Sequence, residues 1–124
     1  MKEEYRGRML RILFGERDKW QGKPLHEAIV AKCQELRIAG ATVYRGIEGY
    51  GASTRIRYAS HWKFSQDAPI MLSIVDKDEQ IARLLPHLEG MVDEGLIAIS
   101  DVDVIRFIRE EEGEVKAPTP RSGA

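Results

Sequence analysis

The stretch from Gly40 to Val75, GATVYRGIEGYGASTRIRYASHWKFSQDAPIMLSIV, decides how this chain is read. Ala41 to Ile47 is rich in residues that favour a pleated surface and reads as a strand. Gly46, Gly49 and Gly51 follow in the run GIEGYG. Such glycines permit bends, bulges or the close approach of a backbone or ligand. They do not make a dinucleotide fingerprint, because no helix opens after them. Residues 52–68 form a long polar loop. Pro69 cannot donate to a ladder and so marks the loop's end or the first residue of the next strand. Ile70 to Val75, IMLSIV, is apolar at five of six positions, the pattern of a strand covered on both faces. A loop of this length in a small domain is either functional or disordered. The rest of the chain is therefore read as a scaffold for this hairpin.

Upstream, Arg8 to Phe14 is the first strand. Leu10, Ile12 and Phe14 share one face, and Met9 and Leu13 share the other with Arg11. Residues 1–7 are polar and expected to fray. Gly15 ends the strand, and a charged connection carries Trp20, read as a lid on the end of its own core. Leu25, Ala28, Ile29, Lys32, Cys33 and Leu36 follow helical spacing, so a helix is expected over 24–38, with Pro24 at its start and Gly40 as its stop. Cys33 lies on that stripe and reads as a core thiol.

Downstream, Asp76 with Glu79 three residues on reads as a capping box. Ile81, Leu84, Leu85, Leu88, Met91 and Val92 form the stripe of a second helix, which Pro86 is expected to kink or split. Leu96 to Ile108 reads as the last strand, with a possible break near Ser100-Asp101. Residues 110–124, EEEGEVKAPTPRSGA, have nothing to bury and are expected to be disordered.

The order β-α-β-β-α-β implies an α+β, ferredoxin-like domain over 8–109: a four-stranded antiparallel sheet with two helices on one face. The helices cover one face, yet the first and third strands are apolar on both. An uncovered apolar face needs a partner, and other copies of the chain are the simplest one.

The 124 residues suit one domain, and the net charge of −1 gives no basic field for non-specific binding of nucleic acid. With Cys33 as the lone cysteine, neither an internal disulfide nor a thiolate metal cluster can form. No apolar run reaches membrane-spanning length, and MKEEYRGR lacks a signal peptide's apolar core. A cytoplasmic protein without membrane insertion is expected.

The loop residues Arg55, Arg57, Tyr58, His61, Trp62 and Lys63 mix cations with aromatics. A tryptophan beside arginine and lysine matches interface hot-spot composition, pointing to a protein partner rather than nucleic acid. The plainer readings are a solvated loop, or one packed on an adjacent subunit. His26, His61 and His87 show no metal-ligand spacing, and nothing selects Glu16, Asp18 or Glu48 over ordinary surface acids. No catalytic or metal-binding residue is assigned, and no enzyme is expected. The alternative is a small trimeric enzyme or divalent-metal-binding protein using intersubunit carboxylates and histidines. A purely structural adaptor is a third class.

Several segments together resemble the PII-like signalling proteins of the GlnB superfamily, nearest an uncharacterised branch in bacteria and archaea. They are GKPL at 22–25, GATVYRGIEGYG at 40–51, Asp67-Ala68-Pro69, VDKDEQI at 75–81 and EGLIAISDVDVIR at 94–106. The resemblance spans roughly 8–109. It implies a homotrimer whose sheets face its centre. It also implies a small effector in the intersubunit cleft, with no required cofactor, and a protruding loop that contacts a target such as a membrane transporter, channel or enzyme. An adenine nucleotide is the leading effector. Gly49, Tyr50 and Gly51 then match the Gly-aromatic-Gly turn beside the cleft, and Arg106 matches an arginine reaching phosphates. Glycines let backbone N–H groups approach an anion, and arginine's fork suits phosphate oxygens. The chain departs from the family pattern at Ser53, where a glutamine is usual, and at Leu96, where a phosphate-binding lysine is usual. Arg106 and Arg109 are also spaced to face opposite ways on a strand. Acids at Asp93 and Glu94 disfavour a triphosphate.

Overall fold

The computed structural model describes residues 1–51, 56–58 and 67–110. Its centre is a four-stranded antiparallel sheet in the order β4-β7-β1-β8, where β1 is Lys2–Gly15, β4 Ala41–Arg45, β7 Pro69–Asp76 and β8 Leu96–Phe107. Two helices, α1 Leu25–Glu35 and α2 Asp78–Met91, cover one face. This is the expected ferredoxin-like α+β arrangement.

Alternation along the strands builds the core. Leu10 and Ile12 of β1 and Leu72 and Ile74 of β7 are fully buried beneath the helices. Ile29 of α1 and Leu84 and Leu88 of α2 meet them from above. Burying a side chain of this size contributes about 1.5–3 kcal/mol, so this layer dominates stability. Trp20 packs half-buried on the core's end, as expected of a lid. It sits in a small hairpin, β2 Lys19–Trp20 against β3 Lys23–Pro24, turned by Gln21 and Gly22 at positive φ.

Several boundaries differ from the sequence reading. Residues 1–7 do not fray: β1 starts at Lys2 and pairs with β8 as far as Lys2↔Phe107. Its polar residues gave no apolar signal, because what orders them is a partner strand about a hundred residues away. Helix α1 stops at Glu35 rather than 38, and Gly40 does not cap it. Arg37 takes the left-handed conformation instead, at φ 61. The carbonyls of Leu36 and Arg37 accept from Arg83 and Gln80 of α2 at 3.1 Å each, which supplies the capping that glycine geometry was expected to give.

Asp76 does not cap α2; Lys77 holds the cap position, with no side-chain bond. The Asp76 carboxylate is buried instead. It accepts from the Ala39 amide at 2.8 Å and the Lys77 amide at 2.7 Å, tying the entry to β4 onto the end of β7. Helix α2 passes Pro86 as one element, and β8 passes Ser100-Asp101 unbroken. Beyond β4, residues read as a bent strand form β5, Glu48–Tyr50, paired with β6, Ile56–Tyr58. Three residues of the glycine-rich run thus serve a small hairpin at the root of the long loop. The tail from 111 onward lies outside the described residues.

Candidate functional site

The second face of the sheet carries an apolar row that crosses all four strands. Tyr44 pairs with Met71, Met71 with Leu13, and Leu13 with Leu96. Residues paired in this way point to the same side of a sheet. Leu13, Tyr44 and Leu96 are 38%, 51% and 54% exposed in the single chain.

At the end of this row the β5–β6 hairpin rises from the sheet. The Gly46 amide donates to the Pro69 carbonyl at 2.7 Å. A Cβ on Gly46 would sit 2.8 Å from Pro69 Cγ, and one on Gly49 would sit 2.9 Å from Pro69 Cβ. These two glycines therefore let the hairpin rest on the proline ring. Gly51 meets nothing within 4 Å among the described residues. Across the sheet, Gly95 sits at φ 147, where a Cβ would collide with the Leu13 carbonyl oxygen. Close packing at both walls leaves a cleft of about 380 Å³. Leu13, Met71 and Leu96 floor it, Tyr44 and Gly49-Tyr50-Gly51 form one wall, and Glu94-Gly95 forms the other. Its size lies within the range of small-molecule sites. The surface is mainly apolar, with Tyr44, Tyr50, Glu48 and Glu94 among its lining residues.

One carboxylate braces the stem of the long loop. Glu16 accepts from Arg45 at 2.9 Å through Nε and at 3.1 Å through the guanidinium end, in a two-pronged pair. It also accepts from the Ala68 amide at 3.4 Å, and its own amide donates to the Ala68 carbonyl at 2.8 Å. The Arg17 amide adds a bond to Asp67 at 3.0 Å. Residues on both sides of the 46–67 segment thus converge on Glu16. The Arg45 hydrogen bond holds the Glu16 carboxyl below its usual range.

The sequence-derived residues divide accordingly. Gly49, Tyr50 and Gly51 come together in the cleft wall. Arg106 does not join them within one chain. It lies ten residues beyond Leu96 on a continuous strand, roughly 33 Å away at about 3.3 Å per residue, and pairs with Glu3 at 3.5 Å. Arg57 and Tyr58 belong to β6, opposite Gly49 and Glu48. Arg55, His61, Trp62 and Lys63, with Ser53, lie outside the described residues. Leu96, at the position where the resemblance places a lysine, is part of the apolar floor. Tyr44, Leu13 and Met71 were not named as site residues. The signal that finds them is the second set of alternating apolar positions in β1 and β7.

Of the three carboxylates considered for catalysis, Glu16 is committed to Arg45 and Asp18 to the Gly15 amide at 3.2 Å, while Glu48 stands in the cleft lining. Among the described residues, no group of three or more His, Cys, Asp or Glu side chains could hold a metal ion. Burial pushes the Cys33 thiol up to about 11, which suits a core residue rather than a nucleophile. No helix among the described residues is long and apolar enough to cross a membrane.

Comparison with known proteins adds a family and a fold. The family described as Uncharacterized ACR (DUF190) matches residues 7–104. A UPF0166 protein of Aquifex aeolicus is 35% identical over 98 residues, covering 79% of this chain and 92% of its own length. Another, of Methanocaldococcus jannaschii, is 34% identical over 102 residues, covering 82% of this chain and 94% of its own. Among solved structures, CPII of Thiomonas intermedia K12 superposes with a TM-score of 0.59 at 21% identity, over 82% of this chain and 91% of that one. It is described as a nitrogen regulatory PII-like protein bound to ADP, AMP and bicarbonate. At that identity the likeness is one of fold, and the fold is PII-like.

Proposed function

This chain belongs to the DUF190 family, and we propose that it is a cytoplasmic, trimeric PII-like regulatory protein rather than an enzyme. In this reading it binds a small effector in the cleft and contacts a target protein through loop 52–68. The observation that carries the reading is the cleft itself, which the Gly49-Tyr50-Gly51 turn walls at the root of that loop. A ligand there touches β5 directly, so its presence bears on the loop's stem. That is the arrangement a ligand-controlled contact element needs.

An adenine nucleotide is the favoured effector. The apolar floor and the rings of Tyr44 and Tyr50 suit a planar base. The relative from Thiomonas intermedia, which shares the fold, is described with ADP and AMP. Leu96 offers no charge for phosphate, and Glu48 and Glu94 repel it, so AMP or ADP fits better than ATP. Phosphate contact falls to Arg106 of an adjacent subunit, since one chain's own Arg106 is too distant. The apolar row on the open sheet face supplies the surface for such a subunit.

Calorimetric titration with AMP, ADP, ATP and cyclic nucleotides tests the effector. Binding of AMP or ADP is expected, and silence from all of them at millimolar concentration rejects a nucleotide. Light scattering tests the assembly, with a trimer expected. For the target, pull-down by the wild type and by a Trp62→Ala, Lys63→Ala variant separates a contact loop from a passive one. The partner could be a transporter, channel or enzyme, and loss of capture in the variant is expected.

A further inference from the structure

The apolar row on the open face of the sheet has a polar row beside it. Arg11 lies two residues before Leu13 on β1 and points to the same side, because successive strand residues alternate. It is exposed, whereas Leu10 and Ile12 on either side of it are fully buried beneath the helices. Across the strands Arg11 pairs with Ser73 and with Ala98, and Ser73 pairs with Thr42. Beyond this row the face turns apolar again at the Met9↔Val75 pair. A cation thus stands between two apolar rows on one of the sheet's middle strands.

The fold supplies acids to the other arginines of β1: Asp103 to Arg6, and Asp78 with Asp101 to Arg8. Arg11 forms no ion pair among the described residues. On its side of the four strands the one carboxylate is Glu3, eight residues away along β1, or roughly 26 Å at about 3.3 Å per residue. Glu3 is itself paired with Arg106 at 3.5 Å. An exposed arginine on a lone chain is solvated and needs no partner. In the proposed trimer, with its sheets facing inward, β7 and β1 stand nearest the axis and Arg11 leaves water. Arginine cannot shed its charge as a buried lysine does, and a buried charge without a partner is strongly destabilising. The covered face therefore needs an anion that the chain itself does not provide.

We propose that the trimer holds a small oxyanion of the phosphate or sulfate type on its axis, gripped by Arg11 of all three copies. This rests on the trimeric reading above and adds a site distinct from the cleft, one that no single chain completes. A tetrahedral oxyanion set on a threefold axis directs three equivalent oxygens at three guanidinium groups, and arginine's fork matches such oxygens. Ser73 stands directly opposite Arg11, with their Cβ atoms about 4.5–5.5 Å apart, so its hydroxyl donates beside the guanidinium. Three positive charges around one point favour a multiply charged anion over chloride.

Calorimetric titration of the wild type with inorganic phosphate tests the site, together with melting in phosphate, sulfate and chloride at equal ionic strength. One phosphate per three chains is expected, with a melting temperature that rises in phosphate and sulfate but not in chloride. Arg11→Leu removes the charge and leaves an apolar side chain on a covered face, an exchange that buried charges often tolerate. By light scattering this variant should remain a trimer, and it should neither bind phosphate nor respond to the anion on melting. Should Arg11→Leu fail to fold, Arg11→Gln takes its place. Phosphate bound once per chain, or displaced by AMP, belongs to the cleft and overturns the axial site. An Arg11→Leu trimer that binds phosphate as the wild type does overturns it too. A variant that falls to monomer assigns Arg11 a direct contact between copies and has the same consequence. A wild-type trimer indifferent to all three anions overturns the site while leaving the trimer standing, and gives the charge to a neighbour's carboxylate. A monomeric wild type removes the trimer and the site together.

Discussion

Tyr50 is 73% exposed although it walls a cleft, so its ring contributes little to the fold of the free chain and is available to a ligand. Stacking of a base on an aromatic ring is worth about 1–3 kcal/mol. Tyr50→Ala should therefore weaken AMP or ADP binding by about tenfold or more in calorimetry, with the thermal midpoint of the free protein unchanged. Glu16 behaves in the opposite way: it holds the stem and touches no cleft surface. Its carboxyl is held below the ordinary value of 4.5, chiefly by the Arg45 hydrogen bond. A depressed carboxyl adds stability that is present above its unfolded value and lost as pH falls through the folded one. Glu16→Gln should thus lower the urea midpoint at neutral pH, and the gap to wild type should close as the pH drops below the carboxylate range. A gap that stays constant with pH would assign Glu16 a packing role instead. Glu16 was visible in the sequence as one acid among many. What singles it out is Arg45, which lies 29 positions on in sequence and reaches it because β1 and β4, both antiparallel to the β7 strand between them, finish at the same end of the sheet.

At the scale of elements, the run from Gly46 to Gly51 separates into residues with different duties. Gly49 rests on the Pro69 ring, a rigid neighbour that cannot swing aside, and Gly51 meets nothing within 4 Å among the described residues. Gly49→Ala should lift the β5–β6 hairpin, costing about 1–3 kcal/mol as overpacking does and widening the cleft enough to weaken the ligand. Gly51→Ala should leave stability within about 0.5 kcal/mol, as substitutions in open space do. Chemical denaturation of the two variants side by side checks both. Local sequence carried the helices and the four main strands, because their apolar periodicity is set by burial against one another. It did not carry the first half of β1, the end of α1 or the cap of α2. Each of those is decided by a distant group: β8 for Lys2 to Gly7, Gln80 and Arg83 for the carbonyls after α1, and the Ala39 amide for Asp76. The glycine turn at 49–51, a candidate in the sequence, lies in the cleft wall. The apolar row that makes it a cleft was legible only as a second apolar face in need of cover, not as a cleft floor.

For the whole molecule, neighbouring residues of β1 report on different surfaces. Ile12 is fully buried beneath the helices, whereas Leu13, on the opposite face, is 38% exposed in the single chain. Leu13 lies at the middle of the row joining Tyr44, Met71 and Leu96, so the proposed trimer, with its sheets facing inward, would cover it. Ile12→Ala should cost about 2–5 kcal/mol at any protein concentration, since the cavity it opens lies inside one chain. Leu13→Glu should act through assembly. An unpaired carboxylate is tolerated on the open face of a monomer but is costly once neighbours exclude water from it. The variant should therefore run as a folded monomer, and its melting temperature should not depend on concentration. The wild type's melting temperature should rise with concentration, because association stabilises the native state by mass action. Melting curves of both proteins across a range of concentrations make the comparison. A Leu13→Glu trimer, or a wild type whose midpoint is flat, would mean that something other than further copies of the chain covers the apolar face.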